Sequence, residues 1–283
     1  MKNKIYLYTI VAFLLISNAV SSQTSDNLKQ NFITIIQGVW VSTDYINDIE
    51  KIKSPLKCQQ KLEYKQPLDD MLTMVIDVKN RTDSIEVGVS IGNHEEYYFT
   101  IYFQIGQHKN SLKTNNMPDY DNHSNFYEIS YKTINNVNYL FLSCYDRTNK
   151  IISTKQFSKV AEKQNNNDVA WGIQYIVNKK LFSGNYFLID SATNTKTKVQ
   201  FNNDGSLQGF PNFNTYHIVT DYAGSPIFLD VDIILFRNEK RDVTQYAFQI
   251  VKDTIFLYSI IFEEEIGLPS ELDELKYKLV RCN

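Results

Sequence analysis

The chain has 283 residues, with 29 Lys plus Arg against 32 Asp plus Glu, so its formal net charge is −3 at pH 7. Hydrophobic residues make up 43% of the chain and charged residues 22%, a balance too apolar for an intrinsically disordered protein. The slight negative charge and the lack of a basic stretch argue against a nucleic-acid partner, because phosphate neutralisation needs clustered Lys and Arg.

The N-terminus has the pattern of a secretory signal peptide. Two lysines precede an apolar run at 5–16 and a stretch of small residues, the order that export signals share. Val20 and Ser22 suit the positions before a cleavage site, which predicts a cut before Gln23. The apolar run is shorter than the roughly 20 residues of a membrane-spanning helix, and an uncleaved anchor is the alternative. With residues 1–22 removed and no lipoprotein cysteine near the cut, the chain is expected to be secreted or periplasmic and not to span a membrane.

Alternating apolar and polar residues predict β-strands through most of the first part of the chain. Ile85, Val87 and Val89 lie on one face of such a run, and the residues between them are polar or small. A short helix candidate at 26–36 precedes the strands, and a long loop is predicted at 106–124. The predicted strands are 38–46, 58–65, 71–79, 84–91, 96–105, 125–133, 137–144 and 150–159.

A polar stretch at 162–168 reads as a linker and is followed by a predicted helix at 169–180. Trp171 and Tyr175 lie on one side of that helix, one turn apart. Eight more strands are predicted after it, at 183–190, 195–202, 205–210, 213–221, 229–236, 243–250, 254–261 and 273–281. The domains are therefore expected to be a first barrel at 23–162 and a linker helix with a second barrel at 163–283.

The strand pattern is compatible with two β-sandwiches or with two barrels. Short turns between consecutive strands favour closed meander barrels, because closure removes exposed strand edges. The sequence therefore predicts an all-β protein of two consecutive eight-stranded antiparallel barrels, joined by a short helix and preceded by a signal peptide.

The start of each unit resembles the start of the lipocalin and broader calycin-like barrels. A short helix followed by Gly38 and Trp40 is similar to the Gly-x-Trp motif of that family. The resemblance implies that Trp40 closes the narrow end of the first barrel as a structural plug. Gly184 and Tyr186 take the same places in the second unit, where Tyr stands in place of the family's Trp. The resemblance also implies binding of a small apolar ligand inside a barrel.

Candidate lining residues for such a ligand are Tyr97, Phe99, Ile101 and Phe103, which share one face of a predicted strand. An eight-stranded barrel is just wide enough to be filled by its own side chains or to hold one small ligand. The alternative is therefore that these side chains simply fill the core.

Two motifs suggest catalysis. Residues 88–92 match the Gly-x-Ser-x-Gly pattern that presents a nucleophilic serine, here Ser90, but they lie in a predicted strand that no helix follows. Asp230 and Asp232 lie on the strand face opposite Val231, Ile233 and Leu235. They would form an acidic pair if that face pointed inward, but the apolar residues on the other face favour an outward orientation.

Metal and thiol sites are not supported by residue spacing. His94, His108 and His123 fall in predicted loops with Asp119 and Asp121, without the spacing of helical ligand pairs, so neither a metal ion nor a cofactor is expected. The cysteines, an odd number without a CxxC pair, are Cys58, Cys144 and Cys282. Cys58 and Cys144 are predicted at the same barrel rim, roughly 14 Å apart, which favours free thiols.

These observations predict an exported, non-catalytic binding protein that holds a small apolar ligand in a β-barrel. The alternatives are a secreted hydrolase that uses Ser90 or a carboxylate pair, and a scaffold with filled barrels that contacts a protein or glycan partner.

Overall fold

The fold is that of two consecutive eight-stranded antiparallel β-barrels, the first closed and the second nearly closed. It is seen in a computed structural model that describes residues 30–62, 65–79, 83–92, 95–108, 110–115, 124–164, 167–222, 231–262 and 269–282. The predicted all-β class and the tandem arrangement are thus confirmed, whereas the predicted signal peptide at 1–22 lies outside the described residues.

The first barrel follows helical residues at 30–36 (α1). Its strand β1 (Gly38–Ser42) leads into two helices, α2 (Thr43–Ile52) and α3 (Pro55–Gln60). The other strands are β2 (Met71–Ile76), β3 (Ser84–Ile91), β4 (Glu95–Ile105), β5 (Ser111–Thr114), β6 (Phe126–Ile134), β7 (Val137–Tyr145) and β8 (Ile151–Ala161). Pairing of β1 with both β2 and β8 closes this barrel.

The strand predicted at 58–65 is wrong, because α3 occupies the start of that range, and the first strand ends at Ser42 rather than at 46. A Ser-Pro start explains α3: the Ser54 hydroxyl accepts a hydrogen bond from Lys57 N at 3.1 Å, and Pro55 suits the first helical position. The strand count is preserved by β5, which lies in the segment predicted to be a loop.

The second barrel follows helix α4 (Trp171–Val177), which continues into a π-helical turn (Asn178–Phe182). Its strands are β9 (Gly184–Asp190), β10 (Lys196–Phe201), β11 (Leu207–Gln208), β12 (Thr215–Ile218), β13 (Asp232–Arg237), β14 (Val243–Val251), β15 (Thr254–Phe262) and β16 (Pro269–Arg281). The sheet begins at β11 and ends at β12. Only a short seam joins these two strands, where Tyr216 N donates to Gly205 O at 2.8 Å.

The two barrels begin alike, with an aromatic ring beneath a cation from the last strand. Trp40 is fully buried, its Nε1 donates to Ile36 O at 2.8 Å, and Lys159 Nζ lies 5.3 Å from its ring centre. Tyr186 is equally buried beneath the guanidinium of Arg281, which lies 5.1 Å from the ring centre. The preceding residues Gly38 and Gly184 have φ of +130° and +142°, which glycine adopts without strain.

Helix α4 packs between the barrels at close range. An added Cβ on Gly172 would lie 2.8 Å from Val39 Cγ1 and 3.1 Å from Val41 Cγ2, so the helix approaches β1 more closely than a side chain allows. Beside it, Thr73 Oγ1 donates a buried hydrogen bond to Val169 O at 2.6 Å. One hydrophobic core therefore runs from Val41 of the first barrel, through the helix, into the second barrel.

Replacing Gly172 with Ala should lower the free energy of unfolding by about 1–3 kcal/mol, because the new methyl group overpacks the contact with two stiff valines. This loss of stability has the opposite sign to the gain of roughly 1 kcal/mol that replacing Gly with Ala normally brings to a helix interior. Urea unfolding measures the effect, and Lys51→Ala, at an exposed position of helix α2, is the control. A G172A protein at least as stable as the parent would show that the close approach is not tight.

Candidate functional site

A cleft of about 680 Å³ opens beside the second barrel, where β11 and β12 are incompletely paired. Its walls are α4, the turn at 203–205 and the segment 215–221. The volume lies within the range of roughly 300–1,000 Å³ that is typical of small-molecule sites. The cleft is therefore large enough for a ligand of several rings.

Gln174 attaches α4 to the open edge of β12. With its amide turned so that donors meet acceptors, Gln174 donates to Ile218 O at 3.0 Å and accepts from Ile218 N at 3.2 Å. One turn later, buried Asn178 donates from Nδ2 to Asn203 O at 3.1 Å. Gly205 completes the floor, since its φ of +84° and its contact with Tyr216 O leave no room for a Cβ.

The helical wall of the cleft carries an aromatic pair. Trp171 and Tyr175 are both half-buried, and their rings stack with centres 4.9 Å apart and planes 25° apart. Lys179 Nζ lies 5.8 Å from the Tyr175 ring centre, and Asn203 Nδ2 lies 3.5 Å from the Tyr175 hydroxyl. These contacts hold the pair in place and give the cleft a preformed aromatic surface.

The opposite wall is polar. His217 points outward from β12, while its neighbours Tyr216 and Ile218 are buried in the barrel core. Burial lowers the pKa of His217 below its usual 6.5, Arg237 lowers it further, and Asp168 opposes the shift. The imidazole is therefore neutral at pH 7 and offers one hydrogen-bond donor and one acceptor.

The ionisable groups around the cleft are mainly acidic. Among the described residues that line the cleft, Asp168, Asp204 and Asp221 are carboxylates and Arg237 is the one permanent cation, with Lys179 close by over the Tyr175 ring. Asp204 is engaged by Ser206, whose backbone N (2.9 Å) and hydroxyl (2.7 Å) both donate to it and hold its pKa below the usual range. Because carboxylates outnumber cations, the cleft disfavours anionic ligands.

The residues predicted to line a barrel cavity lie elsewhere. Phe99, Ile101 and Phe103 are buried in the core of the first barrel together with Trp40, and Tyr97 is half-buried against that core. None of them lines the cleft. The signal that could have indicated the cleft was the spacing of Trp171 and Tyr175, although the sequence does not show which strand the helix faces.

Ser90 is a buried strand residue. It lies near the end of β3, is 1% exposed, and its hydroxyl has no hydrogen-bond partner among the residues that the structure describes. Its backbone N donates to Thr73 Oγ1 at 3.2 Å. Within the described ranges the hydroxyl is thus not paired with a base of the kind that activates a serine nucleophile.

Of the predicted polar loop residues, His108 is in contact with a buried carboxylate. His108 Nδ1 lies 2.9 Å from Glu128, which also accepts from the Ser111 hydroxyl at 2.7 Å. The described ranges contain no group of three or more His, Cys, Asp or Glu side chains suited to a metal ion. His94, His123, Asp119 and Asp121 lie outside those ranges.

The outward orientation predicted for Asp232 is wrong. Asp232 is 7% exposed and shares its face of β13 with Ile234 and Phe236, which belong to the core. Its carboxylate accepts from Leu56 N, in the first turn of α3, at 2.9 Å. Both faces of this strand carry apolar residues, so alternation alone did not identify the inner face. Asp230 lies outside the described residues.

All three cysteines are free thiols. Cys58 lies in α3 rather than at the start of a strand, so the strand position from which a shared rim with Cys144 was predicted is wrong. Burial raises the pKa of the Cys58 thiol to about 12, and the carboxylates of Asp48 and Asp232 add to the shift. A thiol with this pKa stays protonated and is a weak nucleophile at neutral pH.

Comparison of the chain with protein-family models, curated proteins and solved structures finds no match. Within the described ranges, no helix combines the length and apolar character that crossing a membrane requires.

An NMR titration should give His217 a pKa below 6.5, because burial and Arg237 disfavour the imidazolium. Arg237→Gln should raise this pKa, and Asp168→Asn should lower it. As the pH falls, His217 is protonated at a higher pH in the unfolded chain than in the folded chain. Protonation of His217 should therefore lower the free energy of unfolding below about pH 6.5. If neither substitution changed the pKa of His217 from its value in the parent protein, this arrangement of charges would be contradicted.

Proposed function

We propose that the chain is an exported, non-catalytic binding protein and that its cleft takes a neutral, hydroxyl-rich ring, as found in saccharides. The observation that carries this proposal is the stacked pair of Trp171 and Tyr175 facing a polar wall. The negative face of an aromatic ring attracts the polarised C–H groups on one side of a sugar ring. Stacking on this surface leaves the sugar hydroxyls free to contact the opposite wall.

The polar wall supports the same ligand class. A hydroxyl group both donates and accepts, so it is best matched by a mixture of donors and acceptors. The cleft supplies an imidazole from His217, a guanidinium from Arg237, a hydroxyl from Thr215 and the carboxylates at its rim. Their excess of negative charge favours a neutral saccharide over a phosphorylated or sulfated one.

Two other functions compete with this proposal. The burial of Phe99, Ile101 and Phe103 supports a filled first barrel rather than an apolar ligand site. Ser90 is buried, and its hydroxyl has no hydrogen-bond partner among the described residues, which supports binding rather than hydrolysis. Export is proposed from the signal-like residues 1–22, and a distant relation to the lipocalin-like barrels from the shared start of the two units.

The test is a glycan array of neutral oligosaccharides built from hexoses and N-acetylhexosamines, followed by calorimetric titration of the tightest binder. Trp171→Ala should weaken that binding at least about tenfold, because it removes the stacking surface. Tyr98→Ala is the matched control, since Tyr98 is a 48% exposed aromatic residue on the first barrel.

Absence of binding to every neutral saccharide, or equal affinity of W171A and the parent, would overturn the proposal. Native mass spectrometry tests the competing barrel site on the same samples. A co-purifying apolar molecule that is lost in Tyr97→Asp would favour a ligand inside the first barrel instead.

A further inference from the structure

A second cavity, of about 210 Å³, lies where the first unit meets the second barrel, and its lining is basic. Lys53 comes from the connection between α2 and α3, Lys180 from the π-helical turn and Lys252 from the turn between β14 and β15. Arg281 is the last residue of β16. Four cations therefore surround a small cavity in a chain whose net charge is −3.

These cations are only partly neutralised. Asp253 is the acidic residue in the described lining, and Glu50, which is not part of the lining, pairs with Lys180 at 3.2 Å. Lys53 and Lys252 have no ion pair with any residue that the structure describes. Four like charges that converge on one cavity repel one another, and an anion inside the cavity would relieve that repulsion.

The backbone at the two unpaired lysines is also unusual. In the described ranges, ten non-glycine residues have a left-handed backbone, and six of them are Asn. The two lysines in this group are Lys53, with φ of 58°, and Lys252, with φ of 55°, and both line the cavity. Asn tolerates this conformation better than Lys does, so the turns themselves do not require the ammonium groups.

Tyr186 adds a neutral donor. Burial raises the pKa of this phenol to about 12, so it keeps its proton at neutral pH. Its oxygen accepts from Arg281 Nη2 at 2.8 Å, and within the described residues its own hydrogen has no hydrogen-bond acceptor. A guanidinium, three ammonium groups and a phenol all donate hydrogen bonds, which is the set that a tetrahedral oxyanion needs.

We propose that this cavity binds a phosphate group. Its volume accommodates one phosphate with part of an attached molecule, and its charge selects a divalent anion. The site is separate from the saccharide cleft and shares none of its residues. Because Lys53 belongs to the first unit and the other cations to the second, a bound phosphate would contact both.

The experiment is calorimetric titration of the full chain with inorganic phosphate and, separately, with glycerol 3-phosphate. An ionic strength of about 0.02 M keeps electrostatic screening weak. Saturable binding with one site per chain is expected. Binding of inorganic phosphate would identify the free ion as sufficient, whereas binding of glycerol 3-phosphate alone would identify a phosphate ester as the ligand.

Lys53→Asn and Lys252→Asn remove one charge each while keeping a residue that accepts the left-handed backbone. Each should weaken binding about tenfold. Arg241→Asn is the matched control, since Arg241 is an exposed cation with φ of 68° in the turn between β13 and β14. It should change the affinity less than twofold. Glu50→Gln should strengthen binding several-fold, because it releases Lys180.

Two results would overturn the proposal. One is the absence of saturable binding of either probe to the parent. The other is an equal loss of affinity in K53N, K252N and R241N, which would indicate a general effect of net charge. Thermal unfolding of each variant, followed by circular dichroism, separates a loss of binding from a loss of folding. Neither result bears on saccharide binding at the cleft.

Discussion

The close approach of α4 to β1 at Gly172 is the contact on which the arrangement of the two barrels depends. It lets one seven-residue helix contribute Ile173, Ile176 and Val177 to a core that both barrels share. A larger residue at this position would move the helix away from Val39 and Val41 and open that core. Local packing at one glycine thus sets how closely the connecting helix approaches the first barrel.

Both candidate sites depend on that arrangement. The cleft exists because α4, held by the first barrel on one face, presents Trp171 and Tyr175 to the incomplete seam of the second. The basic cavity exists because the end of the same helical segment brings Lys180 near Lys53. Further contacts across the junction, such as the Asp232 carboxylate on α3, hold the units in register. The cleft combines the linker helix with the second barrel, and the basic cavity combines the first unit with the second.

The sequence was sufficient for the fold class and insufficient for the sites. Alternation in runs such as Ile85 to Val89 predicted the strands, because one face of each is buried. It did not distinguish α3 from a strand, since six residues with three buried positions carry too little periodicity. It also could not orient Asp232 on a strand with two apolar faces. The cleft and the cavity join residues far apart in the chain, and such pairings leave no local pattern.

Gln174 has a consequence for how this protein behaves in concentrated solution. Ile218 of β12 pairs with β13 on one side, but the short β11 does not reach it on the other, and an uncovered backbone there would offer a template for pairing with a second molecule. The amide of Gln174 supplies the donor and the acceptor that a partner strand would otherwise provide. A single side chain therefore occupies the backbone groups through which this edge could otherwise pair with another chain.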